Sequence, residues 1–117
     1  MSNLRTGNYY DLEYLHIPIE NKPILRQRFL NELSEFFEFD IRDKKRVQHL
    51  VWARYGYFLI CVQNTGHSLA EIGKLVGCDH ATVIAGLKTT KNLYPVDKHF
   101  RASINSIILF FNKYYGI

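Results

Sequence analysis

The residues that invite a chemical reading are Cys78-Asp79-His80-Ala81-Thr82, with Arg54 and Ser68 upstream. A thiol, a carboxylate and an imidazole in succession suggest a nucleophile, an orienting acid and a base. At the start of a helix, however, consecutive side chains diverge by about 100° and do not converge on one reacting atom. A zinc site fares no better, because Cys61, Cys78 and the five histidines lack ligand spacing. No catalytic residue, metal or cofactor is therefore expected. A carboxylate and an imidazole can instead work as hydrogen-bonding groups at an exposed helix start. The small neighbours Ala81 and Thr82 permit close approach to a partner, and the helix N-terminus favours phosphate.

The surrounding sequence supplies the elements that hold these residues. Ser68-Leu69-Ala70-Glu71 is a capping box, in which the serine hydroxyl and the glutamate carboxylate satisfy each other's backbone N–H. Leu69, Ile72 and Leu75 form the buried stripe of a short helix, and Gly77-Cys78 makes the turn. Asp79 is a suitable N-cap for the next helix. That helix buries Val83, Leu87, Thr90 and Tyr94, turns His80, Ala81, Ala85 and Lys88 outward, and ends at Pro95. A braced short helix, a glycine turn and a second helix with a small, polar start make a helix-turn-helix, whose second helix suits the DNA major groove.

The rest of the chain is helical as well. Asn21-Lys22-Pro23 signals a helix start, and Leu25, Phe29, Leu33, Phe36 and Phe37 predict one helical face over residues 23–38. Val47, Leu50, Val51, Tyr57, Phe58 and Cys61 predict another helix, interrupted by Gly56 and ended by Asn64-Thr65-Gly66. Asp97 caps a last helix with Phe100, Ile104, Ile107, Ile108 and Phe111 on its stripe. Leu109 and Phe110 flank that stripe and need cover, expected from the N-terminal segment, with a second subunit as the alternative. The expected fold is all-α, with about five helices around a central helix-turn-helix. Residues 1–22 read as an arm and 23–117 as a single domain.

Charge separates the chain into two parts. Residues 1–41 carry four Lys/Arg and seven Asp/Glu, while residues 42–117 carry eleven Lys/Arg and four Asp/Glu. The later part is basic enough to suit a polyanion. No apolar run approaches the roughly 18 residues of a membrane span, no signal-peptide layout is present, and two distant cysteines form no disulfide framework. A cytoplasmic location without membrane contact is expected. No GxxxxGK[ST] phosphate loop occurs, so these residues are not expected to hydrolyse ATP in the P-loop manner.

The stretch "SLAEIGKLVG-CDHATVIAGLK" resembles the C-terminal DNA-binding domain of the bacterial replication initiator DnaA. That family's signature runs S-L-x-E-I-G, then F-G-G-R-D-H-T-T-V. Ser68, Leu69, Glu71, Ile72, Gly73, Gly77, Asp79, His80, Thr82, Val83 and Lys88 fall on the pattern. "VWARYGYFL" is similar to its V-x-A-R-Q-x-A-x-x-L helix, with Arg54 fourteen residues before Ser68. "DKHFR" is similar to the start of its last helix. The resemblance implies duplex DNA as partner, in replication initiation or transcription control. It implies Arg54 in the minor groove, and Asp79, His80, Ala81 and Thr82 at base edges in the major groove. Phosphate contacts would come from Lys44, Lys45, Arg46, Ser68 and Lys88. The sequence departs from the family by a turn one residue shorter that lacks its arginine, by Ala81 in place of a threonine, and by Tyr55 in place of a glutamine. The lost arginine, the shortened turn and the apolar C-terminus favour a rival reading, a protein-interaction module on the same scaffold. It would contact a replication protein or a second copy through the apolar C-terminal helix.

Overall fold

The computed structural model describes residues 12–20, 22, 24–43, 47–64 and 67–115. Five helices occur in it: α1 (Arg26–Phe37), α2 (Gln48–Asn64), α3 (Leu69–Lys74), α4 (His80–Leu93) and α5 (Lys98–Tyr115). No strand occurs among the described residues, so the all-α expectation holds.

α2 is the axle. It buries Leu50, Ala53 and every residue from Gly56 to Val62, which covers more than one of its faces. A helix apolar all round must be enclosed, and α5, α4 and α3 all pack against it. Gly56 weakens the helical pattern in sequence but has a packing purpose. A methyl group there would lie 3.0 Å from Ile107 Cβ, so its absence lets α5 close onto α2. Burial pushes the Cys61 thiol on this helix up to about 12, leaving it a core side chain rather than a nucleophile.

α1 begins later than residue 23, and its buried face is rotated from the expected one. Pro23 lies outside the described residues. Lys22 N–H donates to Asn64 Oδ1 at 2.7 Å, Leu25 is extended, and the helix starts only at Arg26. Phe29 and Leu33 are buried as expected, but Leu25 and Phe36 are 70% and 53% exposed. Leu30 takes the buried place instead. Phe29 meets Tyr57, Phe110, Phe111 and Tyr115, which locks α1 onto α2 and α5. Arg26 reaches the Glu71 carbonyl and ties the same helix to α3.

The last helix follows its predicted stripe, and Asp97 caps it by accepting from His99 and Phe100 N–H at 3.0 Å. Its flanking residues part company. Phe110 is covered by Phe29, Phe36 and Phe37 of α1, whereas Leu109 stays 52% exposed. Residues 16–20 lie against the end of α4 and along α5. His16 N–H donates to the Tyr94 hydroxyl, which donates in turn to Asn105. Asn112 holds Pro18 and Glu20 through their backbone groups, and Ile19 is buried.

Candidate nucleic-acid interface

α3 and α4 form the helix-turn-helix, and each feature that fixes them is local. Both halves of the capping box are made: Glu71 N–H donates to Ser68 Oγ at 3.2 Å, and Ser68 N–H donates to Glu71 Oε1 at 2.9 Å. Gly77 takes φ 73°, the left-handed conformation that a side chain disfavours. Cys78 N–H and Val76 N–H both donate to the Gly73 carbonyl, at 2.9 and 3.0 Å, and close the turn. Asp79 then caps α4 by accepting from Thr82 N–H at 2.9 Å. Tyr57 Oη of α2 donates to the Ile72 carbonyl at 2.8 Å and pins the unit to the core.

Val83 and Leu87 of α4 are buried, as are Thr90 and Tyr94. His80, Ala81, Thr82, Ala85 and Lys88 are exposed. Ala81, Ala85 and Lys88 follow i, i+4, i+7 and share one outward face, small near the helix start and cationic two turns on. Thr82 points back toward α2. With Asp79, Gly77, Cys78 and Val76 it lines a cleft whose other wall is Val51, Arg54, Tyr55 and Phe58 of α2, with a volume of about 450 Å3. The structure thus brings Arg54, Asp79 and Thr82 to one cavity, with His80 and Ala81 on the adjoining surface.

Two predicted residues carry structural duties as well. Arg54 Nε donates to the Ile41 carbonyl at 2.7 Å, and Nη2 donates to the Asp43 carbonyl. The guanidinium therefore secures the segment leading from α1 into α2, a role the sequence did not reveal. Ser68 offers both its donors to Glu71, since its hydroxyl also lies 3.3 Å from Glu71 Oε1. A phosphate could engage Ser68 only by displacing that carboxylate. Lys44, Lys45 and Arg46 lie outside the described residues. Sequence reasoning noted Tyr55 only as a departure from the family, although it lines the cleft beside Arg54.

The caps set the acid response of this unit. The Asp79 carboxyl is held below the usual aspartate range, chiefly by the hydrogen bond from Thr82 N–H. Glu71 is lowered in the same way by Ser68 N–H. Both groups favour the folded state fully above the unfolded carboxylate value, about 4, and that contribution is lost as pH falls through their lowered folded values. Asp79→Asn keeps a capping oxygen but cannot titrate. Its α-helical circular dichroism is expected to fall less between about pH 4 and 2 than that of the native chain. Identical acid limbs for the two proteins would show that the Asp79 cap does not govern this transition.

Comparison with known proteins fits this geometry. Residues 32–89 match the family model described as the bacterial dnaA protein helix-turn-helix. The chain is 37% identical over 79 residues to the chromosomal replication initiator protein DnaA of Flavobacterium psychrophilum, covering 64% of this chain and 16% of that protein. It is 33% identical over 92 residues to the DnaA protein of Bacteroides fragilis, covering 75% of this chain and 19% of that protein. The chain thus spans less than a fifth of either relative. No solved structure matches it. The family match runs from α1 to the third turn of α4 and takes in the whole cleft; the chain belongs to the bacterial DnaA helix-turn-helix family.

Proposed function

We propose that this chain binds duplex DNA non-covalently and holds it for replication initiation or for transcription control. One observation carries the reading: Arg54, Asp79 and Thr82 line a single cleft beside the exposed first turn of α4. With that turn in the major groove, Asp79 can accept from a cytosine amino group. His80 can meet a thymine methyl or a base acceptor, and Ala81 and Thr82 let the backbone come close. Arg54, on the far wall of the cleft, suits a narrow, electronegative minor groove. Lys88 and the run Lys44-Lys45-Arg46 supply contacts to phosphates, which position the protein without specifying sequence. No helix among the described residues is long and apolar enough to cross a membrane.

Family membership supports the reading, because the relatives are replication initiators and the matched residues include the helix-turn-helix. The exposed Leu109 and Tyr114 of α5 offer a second surface, suited to self-association or to a replication protein. Fluorescence anisotropy with a duplex bearing the initiator family's nonamer, a scrambled duplex and a random pool tests the proposal at about 50 and 200 mM salt. Binding that weakens by orders of magnitude over that range, and that prefers one sequence, is the expected result. No binding at the lower salt would overturn it and move attention to the α5 surface.

A further inference from the structure

Tyr55 has a donor that no described residue uses, at the place where the proposed DNA strand would pass. Its ring lines the cleft between Arg54 and Thr82 and lies near Phe58 and Phe100, with centroids 6.2 and 6.4 Å away. It is seated against bare backbone of α4, because a methyl group on Gly86 would fall 2.7 Å from Tyr55 Cδ1 and 2.9 Å from Cε1. The hydroxyls of Tyr57, Tyr94 and Tyr115 are taken by Ile72, Asn105 and Glu32. The Tyr55 hydroxyl has no hydrogen bond to any described residue, and it is not one of the buried polar atoms left unsatisfied. It is therefore open to a partner, on a ring that the protein holds in place.

Duplex geometry says what that partner would be. One sugar–phosphate strand separates a major groove, about 12 Å wide, from the neighbouring minor groove, about 6 Å wide. A group located between a helix start in the first groove and an arginine in the second faces that strand. We propose that the Tyr55 hydroxyl donates a hydrogen bond to a phosphate oxygen of this strand, fixing the depth at which α4 enters the groove. The inference rests on the DNA-binding reading above. A phenol is a neutral donor, so its contact positions the duplex without displacing a counterion.

Tyr55→Phe tests this cleanly, since the ring and its seat on Gly86 remain. In the anisotropy assay the variant is expected to bind about 3- to 10-fold more weakly, the usual worth of one hydrogen bond. The loss should be equal across sequences, and the slope of log affinity against log salt should not change. A native chain that binds no duplex would overturn the DNA reading itself. Native-like binding by Tyr55→Phe, with the native chain active, would overturn only the phosphate contact. A loss confined to particular sequences would do the same, by making Tyr55 a reader of bases.

Discussion

Gly73→Ala is expected to destabilise the protein by about 3 kcal/mol and to lower its melting temperature by roughly 10 °C. The reason is the closeness of two backbones. A Cβ at this position would lie 2.6 Å from the Cys78 carbonyl oxygen and 2.9 Å from Val83 Cγ2. The first neighbour is main chain and cannot rotate aside, and it belongs to a turn already closed by two hydrogen bonds to the Gly73 carbonyl. The second is fully buried. Relief therefore requires α3 and α4 to separate, which loosens the brace under the proposed reading helix. Duplex binding should fall with the folded fraction, and thermal melting followed by circular dichroism checks the first step. A melting temperature within about 2 °C of the native value would mean that the two helices part freely, contrary to this packing.

Arg54→Ala is expected to weaken duplex binding about 10- to 100-fold and to relax preference for A·T-rich flanks. The same change removes the donors to the Ile41 and Asp43 carbonyls, at a cost of about 1–2 kcal/mol in stability. The two effects separate by measurement, because melting reports the loop anchor and anisotropy reports the groove. Arg54→Lys sharpens the distinction: it keeps the charge but not the planar fork that spans two carbonyls. If Arg54→Ala melts lower yet binds with unchanged affinity and preference, the residue is an anchor alone and leaves the site.

The parts of the fold legible in the sequence are those whose cause lies within a few residues. Ser68 with Glu71, Gly77, Asp79 and Asp97 each announce a cap or a turn through their own chemistry, and each is found making it. The stripe of α5 was legible for a related reason, since five apolar residues at helical spacing leave little choice of face. α1 was less legible. Leu25, Leu30 and Phe36 are equally apolar, and only the positions of α2, α5 and the Asn64 side chain decide which is buried and where the helix begins. In the site, the start of α4 followed from its cap, whereas Arg54's grip on two loop carbonyls joins segments 11 and 13 residues apart. No local pattern encodes such a contact. Tyr55 was hidden because half of its setting is the absence of a side chain at Gly86, on another helix.

The way residues 16–20 are fastened bears on how the chain folds. Their bonds to Tyr94 and Asn112 link positions 78 to 94 residues apart, whereas the helix-turn-helix is closed by neighbours. Joining such distant segments costs chain entropy that is recovered only when both ends have arrived. Helices α2 to α5 can assemble first on contacts between segments closer in sequence, leaving this segment, like α1, to dock as a late latch across α5. Weakening it, as by Asn112→Ala, then acts mainly on how quickly the native protein opens and little on how quickly it forms. The longevity of the folded state is thus set on α5, by contacts separate from the cleft that would hold DNA.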